Sequence, residues 1–114
     1  MIEVKKEKNL TIVRMKEKRF DSSKAPLMKA EFLKLISDGT KNILLNLEEV
    51  ESVDSSGLGS FNFGKRQLND VGGDMKLCLI KNKVNNLLKI SKLDRVYKVF
   101  NSEEEGIKNF FSEK

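Results

Sequence analysis

The chain has no histidine, no tryptophan, one cysteine, one proline and one tyrosine among its 114 residues. Without histidine there is no Ser–His nucleophile pair, no HExxH zinc site and no imidazole base working at neutral pH. A single cysteine excludes an internal disulfide. Cys78, set among Met75, Leu77, Leu79 and Ile80, reads as a buried strand thiol used for packing. No apolar run approaches the ~20 residues that span a bilayer. Met1-Ile2-Glu3-Val4-Lys5-Lys6 carries neither the apolar core nor the small-residue cleavage site of a secretory signal, so the chain is expected to stay in the cytoplasm. No acid–base pair or metal cluster is visible, and neither enzyme activity nor a cofactor is expected.

What is present fits one globular domain spanning residues 1–114, with 39% apolar and 34% charged residues. The formal charge is +5. Lys5, Lys6, Lys8, Arg14, Lys16, Lys18 and Arg19 crowd the first quarter, interrupted by Glu3, Glu7 and Glu17. Such a patch suits an acidic protein face, nucleic acid or anionic lipid. It also suits a solvated strand edge, where lysines discourage edge-to-edge pairing. No aromatic ladder accompanies it, so direct nucleic-acid binding is not expected.

Residues Leu10-Thr11-Ile12-Val13-Arg14-Met15 form a β-prone run, and Ile2 and Val4 mark an earlier strand joined to it by a turn near Lys8-Asn9. Asp21-Ser22-Ser23 offers N-caps for a helix with Pro26 in its first turn and Met28, Phe32, Leu35 and Ile36 at helical spacing. That helix stops at Asp38-Gly39. A dense apolar strand runs from Asn42 to Leu47, as expected where both sheet faces are covered. A second helix ends near Asn69-Asp70, before Gly72-Gly73. Met75 to Ile80 reads as a buried strand, Val84, Leu87 and Leu88 as a short helix closed around Ser91-Lys92-Leu93, and Val96 to Phe100 as a last strand. Ser102-Glu103-Glu104-Glu105 is a capping box opening a final helix with Ile107, Phe110 and Phe111. Strands alternating with helices predict an α/β sandwich on a mixed sheet, with a first hairpin and later strands parallel.

The most informative stretch is Asp54-Ser55-Ser56-Gly57-Leu58-Gly59, where an extended segment hands over to the second helix. The first N–H groups of a helix are unpaired and partly positive, and they favour negative charge. A serine there is well suited to carry phosphate. The same residues also read as an ordinary N-cap, with Gly57 and Gly59 letting the helix lie close to the sheet. A nucleotide loop is poorly supported. Gly59 to Gly64 has the Walker interval, but Lys65 is followed by Arg66, and Gly57-Leu58-Gly59 fails GxGxxG at Asn62.

Taken with Asn46-Leu47-Glu48-Glu49-Val50 before it, this stretch resembles the signature of the STAS family, in particular bacterial anti-sigma-factor antagonists. Gly72-Gly73, Leu93-Asp94-Arg95-Val96-Tyr97, the Ser102 capping box, and Phe20-Asp21 with Ala25-Pro26 match the family's order along nearly the whole chain. The resemblance implies a single α/β domain with a mixed sheet of about five strands and about four helices. It implies an antagonist that binds an anti-sigma factor/serine kinase, is released when that kinase phosphorylates it, and is reset by a cognate phosphatase. It puts the phospho-acceptor at Ser55, with Ser56 as fallback, and the partner surface at Asp21, Asp54, Ser56, Gly57, Leu58 and Gly59. The chain departs from the family where a glycine and an acid usually precede the loop aspartate, because Lys18 and Arg19 stand there. A constitutive STAS scaffold without phospho-control, in a transport or signalling complex, is the alternative reading.

Overall fold

A computed structural model describes residues 1–7 and 9–112. Its elements in order are β1 (Ile2–Glu7), β2 (Leu10–Met15), β3 (Arg19–Phe20), α1 (Ala25–Ser37), β4 (Asn42–Asn46), β5 (Ser52–Val53), α2 (Ser55–Asp70), β6 (Asp74–Cys78), α3 (Asn82–Ile90), β7 (Val99–Phe100) and α4 (Glu103–Ser112). Five strands form one mixed sheet in the order β1-β2-β4-β6-β7. The β1–β2 pair is an antiparallel hairpin, and β2, β4, β6 and β7 run parallel. Asn9 closes the hairpin with φ +64°, a left-handed conformation that asparagine tolerates; Lys8, the other residue expected in that turn, lies outside the described residues.

Alternation along the strands divides the core between the two faces. Val13, Ile43, Leu45, Met75 and Leu77 meet Met28, Phe32 and Leu35 of α1, Leu58, Phe61 and Leu68 of α2, and Val84 and Leu88 of α3. Leu10, Ile12, Leu44 and Cys78 point the other way, where Ile107 and Phe110 of α4 cover them. The apolar run of β4 is thus buried on both faces, as its composition predicts. One interior position on the α4 side is charged. The Lys76 ammonium donates to the Asn109 side-chain oxygen and lies 4.3 Å from the Phe110 ring centroid.

Three boundaries differ from the sequence expectation. Helix α1 has Lys24 at its N-cap with no side-chain cap, because the Asp21 carboxylate turns instead onto Ser23. The strand expected at Met75–Ile80 ends at Cys78, since Leu79 adopts φ +59°. The strand expected from Val96 is confined to Val99–Phe100, because the amides of Val96 and Tyr97 donate to Leu93 O and close a turn. Tyr97 is buried there, with its hydroxyl donating to Asn62 Oδ1 at 2.7 Å. The last helix opens as its capping box predicts. Glu105 N donates to Ser102 Oγ at 3.1 Å, and the Glu105 carboxylate accepts from Asn101 N.

Candidate functional site

A two-stranded sheet that the sequence did not announce builds the site. Strands β3 and β5 pair in parallel, with Arg19 opposite Ser52 and Phe20 opposite Val53. Asp21 and Asp54 therefore follow matched residues, and two distant loops leave the same small sheet side by side. Asp54 N donates to Phe20 O at 3.2 Å, and Glu51 N donates to Lys18 O at 2.7 Å. Two residues per strand are too few for a periodic signal, which is why this pairing is silent in the sequence.

Asp54 then caps α2. Its backbone is extended, and Oδ1 accepts from Gly57 N at 2.8 Å. Its other oxygen, Oδ2, accepts from Ser22 N at 3.2 Å. One carboxylate thus satisfies an orphan N–H of the helix and pins the loop before α1. Asp21 works within its own loop, accepting from Ser23 N at 3.1 Å and from the Ser23 hydroxyl at 2.6 Å. Those Ser23 bonds hold the Asp21 carboxyl below the usual carboxylate range.

Ser55 and Ser56 are the first two residues of α2, and both are exposed. Neither hydroxyl has a hydrogen-bond partner among the described residues. Gly59 is exposed as well. Gly57 and Leu58 are not, which corrects their assignment to the partner surface: Leu58 belongs to the core, and a Cβ at Gly57 would strike the carbonyl oxygen and ring of Phe20. Phe20 in turn stacks on Phe61, with ring centroids 5.1 Å apart. The expectation that Gly59 also serves close packing fails, because a Cβ there meets nothing within 4 Å. The surface left at this end of the molecule is Asp21, Asp54, Ser55, Ser56 and Gly59. It combines two free hydroxyls, two carboxylates and the unpaired amides of a helix start.

The N-terminal basic run is neutralised only in part, since Lys6, Lys18 and Arg19 make no ion pair among the described residues. Lys5 pairs with Glu7, Lys16 with Glu49 at 2.9 Å, and Lys24 with Glu17 at 3.0 Å. Arg14 pairs through Nε with Glu103 at 2.7 Å and through Nη1 with Glu3 at 3.3 Å. Sequence reading missed the Arg14–Glu103 pair because it joins β2 to α4 across most of the chain.

Known proteins share this architecture. A Thermotoga neapolitana protein named "Putative anti-sigma factor antagonist TM1081 homolog" is 31% identical over 97 residues, which cover 84% of this chain and 86% of that one. The crystal structure of a Thermotoga maritima protein of that description aligns with a TM-score of 0.87 at 26% identity, covering 96% of this chain and 93% of that one. The anti-sigma factor antagonist SpoIIAA, in its unphosphorylated form, has the same fold at 19% identity and a TM-score of 0.78, covering 99% of this chain and all (100%) of that one. Residues 1–106 match the STAS domain, and the chain belongs to the STAS family.

Proposed function

We propose that this protein is an anti-sigma factor antagonist working in a partner switch. Unphosphorylated, it binds an anti-sigma factor that is also a serine kinase; phosphorylated on Ser55, it lets go; a phosphatase resets it. Such a switch works in the cytoplasm. The observation that carries the reading is the Ser55 hydroxyl, exposed and unengaged at the first position of a 16-residue helix whose cap is supplied by its neighbour Asp54. Relatives named anti-sigma factor antagonists support the role. The SpoIIAA fold has been solved in both unphosphorylated and phosphorylated forms.

The physics of the switch follows from charge. Phosphate adds about −1.5 to −2 charges at neutral pH. The start of α2 accommodates that anion, so the fold need not change. A partner surface shaped for neutral serine then faces a dianion beside Asp54 and Asp21. A penalty of ~3 kcal/mol from desolvation and repulsion weakens binding by roughly a hundredfold or more. Both Asp54 oxygens are committed to backbone amides, so Asp54 positions the turn and is not the proton acceptor. The kinase supplies base and nucleotide. Ser56, one residue on and equally exposed, is the fallback acceptor.

The test is intact-mass analysis of the protein purified from its own cells, with the modified residue mapped. One phosphate on Ser55, abolished by Ser55→Ala, is expected. An unmodified protein under all growth conditions, with associations indifferent to Ser55→Asp, leaves the constitutive scaffold in place of the switch.

A further inference from the structure

Residues 81–98 carry Lys81, Lys83, Lys89, Lys92, Arg95 and Lys98 against one acid, Asp94. That segment alone has a net charge of +5, equal to the formal charge of the entire chain, so the remainder balances to zero. In the N-terminal strands and their loops Lys5, Arg14, Lys16 and Lys24 find carboxylates while Lys6, Lys18 and Arg19 do not; along residues 81–96 none of Lys81, Lys83, Lys89, Lys92 and Arg95 makes an ion pair among the described residues. All five are exposed. Lys89 in the last turn of α3 complements the helix dipole, which accounts for one of them.

The apolar side chains of α3 are divided. Val84 and Leu88 are buried, while Ile90 at the end of the helix is 80% exposed and Val96 in the following turn is 46% exposed. Two uncovered aliphatic side chains in the same short segment as five unpaired cations have the make-up of a protein interface, which combines apolar anchors with charged neighbours. A phosphate backbone offers Ile90 and Val96 no apolar counterpart. A membrane surface would need a broad apolar stripe on α3, and that stripe faces the core. Helix α3 also packs against β5, the strand that leads into Asp54 and Ser55.

We propose that α3 and the turn after it form a second docking surface, fitted to an acidic protein surface that also offers apolar contacts. The proposal rests on the reading that the chain works by docking on another protein, and it is independent of phosphorylation. Its charge gives fast, salt-sensitive association, and the aliphatic pair fixes the register.

The experiment uses the full chain with a photo-crosslinking amino acid at Ile90, irradiated in its own cells, and the adduct identified. That protein is then purified, and its affinity measured for the wild type, for Lys83→Glu/Lys89→Glu/Lys92→Glu, for Ile90→Ala and for Ser55→Asp. The proposal expects a protein adduct, a loss of about tenfold or more in the triple variant at low salt, shrinkage of that loss at high salt, and recovery when acidic residues of the partner are changed to Lys. Circular dichroism checks the fold of the triple variant, and Ile90→Ala gives an uncharged second test. No protein adduct overturns the proposal, as does an affinity indifferent to both variants. Phosphatidylglycerol vesicles and a short DNA duplex run in parallel; binding to either that the triple variant abolishes, with no protein adduct, assigns the patch to lipid or nucleic acid instead. If the triple variant weakens binding and Ser55→Asp does not, the surface stands apart from the switch, which the mapping of phosphate on Ser55 tests separately. The reverse pattern removes the surface alone.

Discussion

The carboxylate of Asp54 reaches the backbone amide of Ser22, 32 residues earlier, at 3.2 Å, while its second oxygen caps Gly57 N at 2.8 Å. One side chain thereby holds the loop before α1 against the start of α2. Asp54→Ala removes both bonds and is predicted to destabilise the fold by ~1–2 kcal/mol, the usual value of an N-cap plus a second exposed contact. Asp54→Asn retains an acceptor and is predicted to cost less than half as much. Urea denaturation of the two variants checks the order.

The two glycines of the turn are predicted to respond in opposite directions. Gly57→Ala forces a methyl group into the Phe20 carbonyl, which belongs to paired backbone and cannot swing away. A loss of ~1–3 kcal/mol follows from overpacking. Gly59→Ala places its methyl in open space within α2 and is predicted to stabilise by ~0.5–1 kcal/mol. Thermal or chemical denaturation that ranked them the other way would contradict the packing described.

Glu103 ties α4 to the sheet. Its two oxygens accept from Arg14 Nε at 2.7 Å and Arg14 Nη2 at 2.8 Å, and Asn46 Nδ2 adds a third bond at 2.6 Å. The Arg14 hydrogen bonds hold its carboxyl below the usual glutamate range, with Asn46 adding to the effect. A depressed folded-state pKa contributes stability that is present above the unfolded value of about 4.3 and is lost as pH falls through the folded value. Glu103→Gln is predicted to cost ~1–3 kcal/mol at neutral pH. It should also flatten the fall in urea midpoint on acidification below about pH 5. A parallel pH profile in variant and wild type would count against the pair.

Cys78 is fully buried beneath α4, and burial pushes its thiol up to about 12. The native protein is predicted to leave a disulfide reagent unconsumed at mildly alkaline pH, and to consume one equivalent once unfolded. Prompt reaction in the native state would refute the packing reading.

Much of the architecture was legible because it rests on periodicity. Met28, Phe32 and Leu35 announce α1, and Ile43-Leu44-Leu45 announces a strand covered twice. Asp54 as a helix cap was legible from residue type and position. The β3–β5 pair was not, since its partners lie far apart and are two residues long. Nor was the burial of Leu58, because Asp54-Ser55-Ser56-Gly57-Leu58-Gly59 reads as one surface motif until the helix phase turns Leu58 inward. The Val96–Phe100 run has the composition of a strand throughout, but its first residues close a turn that buries Tyr97, and only Val99–Phe100 joins the sheet.

The central claim is tested most directly by the affinity of the anti-sigma factor for two forms of this protein, unmodified and phosphorylated on Ser55, compared by titration calorimetry. Phosphorylation is predicted to weaken binding by roughly a hundredfold or more while the circular dichroism spectrum stays unchanged. Equal affinity for the two forms would contradict it.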